Sequence, residues 1–444
     1  MHNSFHRKLA VLGISLIAAL ITSALAQSPV SEREKPKLKD FGSSLKRLKW
    51  DPETNTAVRT EPKKRKTTDE DDVVRVETTL VVSDVLVLDK EWRPVLGLMR
   101  DDFIVTEDGK PQEVGAFALG DDAKIGRSIV LIIDYSGSQL PFIETSVKAA
   151  KTLIDKLSPR DSMAIVTDDV ELLVDFTRDK QLLKEKLDSL EKKATKGGPT
   201  SRRKFGRSKQ YSALMATLNE AFDHEDQRPV IVFQTDGDEL SLLRNAIRDV
   251  PITPVFTPDQ QKQAQKYQQY LQKYYKDNVT EFSLQDVYKA AENSRATIYT
   301  IIPGYRLTGL SPDKQVEKFK ANRERTLSVW DIKPEARARA EEDFRRLSAE
   351  NLKQMIDRAV NVQLALAGVA KITGGWHDFL EDPSQADTIY SLIFSDINRR
   401  YVVGYYPTNK ERDGKRRKVN VELRGHPEYV VWGRKSYYAP EPEE

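Results

Sequence analysis

Three oxygen-bearing side chains stand at every second position after a continuous apolar stretch. The stretch covers residues 129–133, and the side chains are those of Asp134, Ser136 and Ser138. An apolar run of this length predicts a buried strand, and open α/β sheets bind ligands at the carboxyl ends of their strands. One carboxylate and two hydroxyls form an all-oxygen set, which hard cations such as Mg²⁺ prefer. The pattern therefore predicts a divalent cation site at the end of this strand.

A second apolar stretch also leads into acidic residues. Residues 230–233 precede a segment that contains Asp236, and the polar loop between the two stretches ends at Ser212, just before a predicted helix. Taken alone, the Asp134 motif is also compatible with a turn that carries helix-capping residues, since Ser and Asp favour such positions. The acidic residue after a second strand favours the metal role.

This order of residues resembles the von Willebrand factor A domain and its metal-ion-dependent adhesion site. That site is written Asp-x-Ser-x-Ser, followed by a Thr on a second loop and an Asp on a third. Asp134, Ser136 and Ser138 match the first element, and Asp236 matches the last.

The Thr position of the resemblance has two candidates. We choose Ser212, because Ser-Ala-Leu stands where the family usually has Thr-Ala-Leu before a helix. Thr200, earlier in the same loop, is the alternative. A Ser keeps the hydroxyl but lacks the β-branch that restricts χ1 of Thr.

The resemblance implies a role for each of the five residues. Ser136 and Ser138 would bind the cation directly, and Asp134 and Asp236 would act partly through water. Ser212 would bind it in one state of the site. The cation would be Mg²⁺, with Mn²⁺ or Ca²⁺ as alternatives. Two carboxylates nearly neutralise a divalent ion, and an open coordination position can then accept a carboxylate from a protein partner.

Strands and helices alternate around these motifs, which predicts an α/β fold with a doubly wound, mostly parallel sheet of the von Willebrand A or Rossmann-like type. We place this domain at residues 124–399, with helical inserts at about 251–279 and 303–358. Small β modules flank it at residues 75–119 and 400–438, where Val-rich and Tyr-rich stretches alternate with Asp-Gly turns.

The wider chain is similar to a family of exported bacterial proteins with a von Willebrand A-related domain, common in acidobacteria. The resemblance covers roughly residues 75–438. Besides the Asp134 motif, the matching segments are residues 107–112, 235–237, 298–301, 373–375 and 401–405. The two inserts depart from the family pattern.

The first residues have the features of a secretory signal. Basic residues at 6–8 precede an apolar core at 9–20, and Ala24-Leu25-Ala26 fits the small-x-small cleavage rule. We predict a signal peptide at 1–26 rather than an uncleaved anchor, because a spanning helix needs ~20 apolar residues. Residues 27–74 are rich in charged residues and Pro, which predicts a disordered linker.

The charge and the amino-acid composition argue against several classes of function. The net charge is only +3, so no nucleic acid partner is expected, and the lack of Cys excludes thiolate metal sites and Cys nucleophiles. We expect a non-enzymatic, adhesion-type binding module that is periplasmic or secreted, with no stable membrane span after signal cleavage and an undetermined oligomeric state. The alternatives are an Mg²⁺-dependent hydrolase and a metal-free scaffold. No Ser-His-Asp motif or phosphate-binding loop is recognisable.

Overall fold

The computed structural model describes residues 48–51, 56–59, 80–119, 126–195, 209–222, 228–239, 283–329 and 334–440. The predicted signal peptide, the insert at 251–279 and Thr200 lie outside these residues. Two short strands, β1 (Leu48–Asp51) and β2 (Thr56–Arg59), pair antiparallel within the segment predicted as a linker. Within the described residues, no helix is both long enough and apolar enough to cross a bilayer.

The remaining strands are named in chain order. They are β3 (Val81–Leu88), β4 (Phe103–Glu107), β5 (Lys110–Gln112), β6 (Val114–Leu119), β7 (Ser128–Ile133), β8 (Ser162–Thr167), β9 (Glu171–Thr177), β10 (Pro229–Gln234), β11 (Thr297–Pro303), β12 (His377–Leu380), β13 (Tyr401–Tyr405), β14 (Arg416–Leu423), β15 (Val430–Trp432) and β16 (Ser436–Tyr438).

The helices are likewise named in chain order. They are α1 (Ile143–Asp155), α2 (Lys180–Thr195), α3 (Gln210–Glu220), α4 (Leu284–Asn293), α5 (Pro312–Val329), α6 (Pro334–Arg345), α7 (Ala349–Ile372) and α8 (Ala386–Arg399). A 3₁₀ helix, Gly137–Phe142, precedes α1.

The centre of the fold is a six-stranded sheet in the order β12-β11-β10-β7-β8-β9. Neighbours from β12 to β8 are parallel, and the edge strand β9 is antiparallel to β8. The predicted doubly wound, mostly parallel sheet is therefore confirmed. From β7 the chain moves to one side through β8 and later returns to the other side at β10. The carboxyl ends of β7 and β10 thus flank the point where the strand order reverses, where such sheets bind ligands.

Alternating side chains of β7 serve two cores, as the pleat of a strand requires. Ile129, Leu131 and Ile133 pack with α1, α2 and α8, whereas Val130 and Ile132 pack with α3, α4 and α7. All of these side chains are almost completely buried. Helices therefore cover both faces of the sheet. This explains why β7 is apolar at every position from 129 to 133 and not at every second one.

The second predicted insert is helical, but it is not one long helix. The sequence predicts helical structure over residues 334–355, and the structure divides this range between α6, which ends at Arg345, and α7, which begins at Ala349. Ser348 interrupts the helix, because its side chain accepts a hydrogen bond from Asn351 N and caps α7. Helix α7 then continues into the core, so it belongs to the insert and to the sheet domain together.

The two predicted β modules form one unit. One sheet has the order β15-β3-β13-β6 and the other β16-β14-β4-β5, so each combines strands from residues 81–119 with strands from residues 401–438. Inward residues of both sheets share one core, which includes Val85, Phe103, Tyr401 and Val421. Neither segment alone could cover its apolar face, and pairing the two covers both.

A buried arginine joins this β unit to the sheet domain. Arg400 is 1% exposed, and its guanidinium donates to Asp396 Oδ2 at 2.8 Å and to Gly374 O at 2.6 Å. It also donates to Asp84 O in β3 at 3.2 Å. Tyr299 in β11 donates its hydroxyl to the same Asp396 carboxylate at 2.8 Å. Arg400 therefore connects α8 and the turn after α7, in the sheet domain, with β3 in the β unit.

Candidate metal site

The candidate site is built by three loops at one edge of the central sheet. Asp134 directly follows β7, and Asp236 lies two residues beyond β10. Because β7 and β10 are paired in parallel, with Ile133 opposite Gln234, both carboxylates emerge side by side. The 3₁₀ helix carries Ser138, with Ser136 directly before it, and α3 begins beside them at Gln210.

Hydrogen bonds connect four of the five predicted residues. Ser136 Oγ lies 3.1 Å from Ser138 Oγ, and Ser138 Oγ donates to Asp236 Oδ2 at 2.7 Å. The backbone N–H of Ser136 donates to Asp134 Oδ1 at 2.9 Å. Two hydroxyls and a carboxylate from separate loops are thus close enough to contact one ion.

The Asp134 carboxylate is held in place from its other side as well. Its Oδ2 atom accepts hydrogen bonds from Gln210 Nε2 and Thr235 Oγ1, both at 2.9 Å. Asp134 is 1% exposed. Its orientation is therefore fixed by side chains from the loop after β10 and from the start of α3.

Asp236 also accepts hydrogen bonds from several donors, but its surroundings disfavour the ionised carboxylate. Gln139 Nε2 donates to its Oδ2 at 2.7 Å, and the Asp238 N–H donates to its Oδ1 at 3.0 Å. Burial, followed by the negative charges of Asp134 and Asp238, raises the pKa of Asp236 above its ordinary value. A nearby cation would relieve this repulsion.

Ser212 makes different contacts from the other four residues. Its hydroxyl donates to Glu239 Oε1 at 2.9 Å, and its N–H donates to Glu239 Oε2 at 3.2 Å, as does the Tyr211 N–H at 2.6 Å. A carboxylate that accepts the first free N–H groups of a helix is a favourable arrangement. Burial raises the pKa of Glu239 to about 7. Ser212 is therefore engaged with Glu239, and its role at the cation stays a prediction.

Three residues of the site were missed in the sequence. Gln139, Gln210 and Thr235 each donate a hydrogen bond to Asp134 or Asp236. Gln139 and Thr235 adjoin predicted ligands, so extending each motif by one residue would have found them. Gln210 carries no comparable signal, because its contact depends on how the start of α3 approaches β7.

The donor chemistry of these residues fits a hard divalent cation. Carboxylate and hydroxyl oxygens are among its preferred ligands, and the two aspartates and two serines supply both kinds. The amide oxygens of Gln139 and Gln210 are buried and have no hydrogen-bond partner among the described residues. Among the residues that the structure describes, no group of three or more His, Cys, Asp or Glu side chains is arranged to hold a metal ion. A cation here would therefore depend on hydroxyls together with the two aspartates.

The helical insert packs against the loops that form the site. Arg358 of α7 donates to Asp238 Oδ1 at 3.1 Å, and Leu366 of α7 covers Gly237, which has a φ of 73°. Arg325 of α5 donates to Pro141 O in the 3₁₀ helix at 3.1 Å and lies 4.4 Å from the centre of the Phe142 ring. Helices α5 and α7 therefore contact the segments that follow Asp134 and Asp236.

The central part of the chain matches a known protein family. The family model of the von Willebrand factor type A domain matches residues 129–239, a range that contains all five predicted ligands. No curated protein matches the chain.

Several solved structures are similar at low identity. An aerotolerance-related membrane protein from Bacteroides fragilis is 12% identical with a TM-score of 0.32, over 62% of this chain and 98% of that one. BatB from Bacteroides thetaiotaomicron is 13% identical with a TM-score of 0.26, over 54% and 100%. A von Willebrand factor type A protein from Catenulispora acidiphila is 11% identical with a TM-score of 0.29, over 82% and 74%.

Proposed function

We propose that the von Willebrand factor type A-related domain of this chain binds a divalent cation, most favourably Mg²⁺, and through it a carboxylate of a protein partner. The observation that carries this proposal is the contact between Ser136 Oγ, Ser138 Oγ and Asp236 Oδ2, three oxygens that meet from two loops. Mn²⁺ and Ca²⁺ are the alternative cations.

Each residue of the site would have a distinct part in this binding. Ser136 and Ser138 would hold the cation through neutral hydroxyls, while Asp134 and Asp236 would balance its charge. The bound cation would act as an electrophile for the carboxylate of the partner. Thr235 would keep Asp134 oriented, since its hydroxyl already donates to that carboxylate.

We propose a binding role rather than a catalytic one. Both aspartates accept several hydrogen bonds from fixed donors, including two on the same oxygen in each case. A carboxylate occupied in this way is a poor general base for activating water, because proton abstraction needs a lone pair that faces the substrate.

We place the protein outside the cytoplasm. The N-terminal sequence supports this proposal, with its basic start, short apolar core and small-x-small motif. A periplasmic or secreted location would give the domain access to partners at or beyond the cell envelope.

The cation site can be tested by isothermal titration of the purified protein with Mg²⁺ and Mn²⁺. We expect one site per chain, lost in Asp236→Asn and weakened in Ser138→Ala, because each change removes an oxygen from the meeting point. Ser391→Ala, on α8, is the matched control and should bind as the wild type does. A wild-type protein that binds neither ion would refute the proposal.

The partner can be sought by affinity capture from an envelope extract, in Mg²⁺ and again in EDTA. A protein recovered with the wild type in Mg²⁺ but lost in EDTA and with Asp236→Asn would support the carboxylate mechanism. Equal recovery in EDTA would contradict it and would favour the metal-free scaffold.

A further inference from the structure

Two buried glutamines lie against the two aspartates of the site, one on each. Gln139 is 1% exposed, and its Nε2 donates to Asp236 Oδ2 at 2.7 Å. Gln210 is 0% exposed, and its Nε2 donates to Asp134 Oδ2 at 2.9 Å. Each amide therefore directs a partially positive N–H group at a carboxylate of the predicted cation site.

The other end of each amide is not satisfied. Gln139 Oε1 and Gln210 Oε1 are buried, and neither has a hydrogen-bond partner within the part of the chain that the structure describes. A buried oxygen without a partner is unfavourable. The positions of the two amides therefore cannot be explained by hydrogen bonds at their oxygen ends. The carboxylates do explain them, since a carboxylate attracts an amide N–H and repels an amide oxygen.

We propose that Gln139 and Gln210 take the place of the cation when it is absent, and compete with it for Asp134 and Asp236. We call them the amide pair. This inference rests on the proposed function, because it concerns the same cation. In the cation-free protein, the amide pair would stabilise two buried carboxylates that otherwise repel each other.

The competition has a cost for cation binding. A cation interacts fully with both aspartates only after two N–H···O⁻ bonds are weakened or lost, and hydrogen bonds to charged groups are among the stronger ones in proteins. The amide pair would thus lower affinity and make binding reversible. Because the same two bonds are lost whichever ion enters, the effect should be equal for Mg²⁺ and Mn²⁺.

The test compares the full chain with Gln139→Met and Gln210→Met, which keep a side chain of similar length but remove the N–H donors. We expect each variant to bind Mg²⁺ about tenfold more tightly, with the same factor for Mn²⁺ by isothermal titration. The rise in Tm on adding Mg²⁺ to EDTA-treated protein should also exceed that of the wild type.

A matched control is available at the start of α2, where Lys180 contacts Asp155 O and Leu157 O in the segment that leads into β8. Gln181 of α2 is exposed, and its Nε2 donates to Glu185 Oε1 at 3.0 Å. Gln181→Met makes the same chemical change beside a carboxylate far from the candidate site, and it should leave both the affinity and the Tm rise unchanged.

The outcomes separate this inference from the proposed function. Unchanged or weaker binding in the Met variants would overturn the inference, because the amides would then be spectators or oxygen ligands. A changed Mg²⁺ to Mn²⁺ ratio would also point to oxygen ligands and overturn it. If the Met variants do not fold, Gln139→Asn and Gln210→Asn shorten the amides and should tighten binding in the same direction. A wild-type protein that binds neither ion refutes both proposals.

Discussion

Single residues keep the Asp134 carboxylate in one orientation. It is almost fully buried and accepts hydrogen bonds from Ser136 N, Gln210 Nε2 and Thr235 Oγ1. Groups held in place before binding do not have to be ordered when a ligand arrives. The residues around Asp134 therefore matter for binding even where they touch no ligand.

Thr235→Val tests this support without changing the shape of the side chain. The hydroxyl of Thr235 donates to Asp134 and accepts the N–H of Gly237 at 2.9 Å. Its removal leaves a buried carboxylate and a buried N–H each short of one bond, so we expect a loss of about 1–3 kcal/mol in the free energy of unfolding. Urea denaturation measures it. An unchanged midpoint would show that these bonds contribute nothing net.

Gly237→Ala tests the packing of helix α7 on the site. Gly237 has a φ of 73°, and a Cβ there would lie 2.8 Å from Leu366 side-chain atoms. The control is Gly425→Ala, which has a φ of 77° and nothing within 4 Å of a Cβ. Backbone strain should cost each variant about 1 kcal/mol, and Gly237→Ala should lose more because Leu366 must move. Equal losses by urea denaturation would contradict the contact.

The sequence predicts that Asp134 and Asp236 lie together, but it does not predict all of their surroundings. Each of the two follows an apolar run that is typical of a buried strand, and the two strands are paired in parallel. Gln210 was not found, because its contact with Asp134 spans 76 positions and leaves no local pattern. Ser212 was chosen because the sequence suggested that it precedes a helix, but it lies in the first turn of α3. That position explains why it lies beside Glu239, which accepts the free N–H groups at the start of α3.

Among the elements, β7 and β10 were the most predictable, and the insert was the least. Both strands are apolar throughout because helices cover both faces of the sheet. The break between α6 and α7 depends on Ser348, one capping residue in a charged stretch that otherwise favours a helix. Charge density alone could not show that α7 continues into the core.

The start of β7 depends on an ion pair that should make stability sensitive to acid. The Arg127 guanidinium donates to Asp161 Oδ2 at 2.8 Å, and the Ser158 N–H donates to the same carboxylate at 2.8 Å. Although burial opposes ionisation, the hydrogen bonds and charge of Arg127 lower the pKa of Asp161 below its ordinary value. The pair therefore stabilises the fold above the ordinary pKa of Asp.

Acidification should remove the stabilisation that this ion pair provides. Because the folded-state pKa of Asp161 is the lower one, protonation favours the unfolded chain as the pH falls below about 4. The urea midpoint of the wild type should drop over this range. Asp161→Asn should be less stable at pH 7 and lose less on acidification. A parallel decline of both proteins would contradict the assignment.

At the scale of the whole molecule, the strands of the β unit lie on both sides of the von Willebrand factor type A-related domain in the sequence. Its strands come from residues 81–119 and 401–438, and β13 lies between β3 and β6. The sequence predicted strands in both segments correctly. It could not predict that they pair, because strand register between segments almost 300 residues apart is set by the fold of everything between them.

Arg400→Met should weaken the junction between the two units. The change leaves Asp396 buried without its guanidinium partner, and removing one member of a buried ion pair typically costs about 3–5 kcal/mol. The measurement is the free energy of unfolding in urea. Arg337→Met, which breaks an exposed pair with Glu341, is the control and should change little. Similar losses in both variants would contradict a structural role for Arg400.

The enclosed arrangement has a mechanical consequence. When the chain is pulled at residues 80 and 440, both attachment points lie in the β unit, where β3 is hydrogen-bonded to β13 and β15. The applied force then acts on the hydrogen bonds between these strands. The sheet domain lies in the chain between them, so it carries no force until these strands separate. Pulling on the chain would therefore leave the candidate metal site undistorted until that rupture.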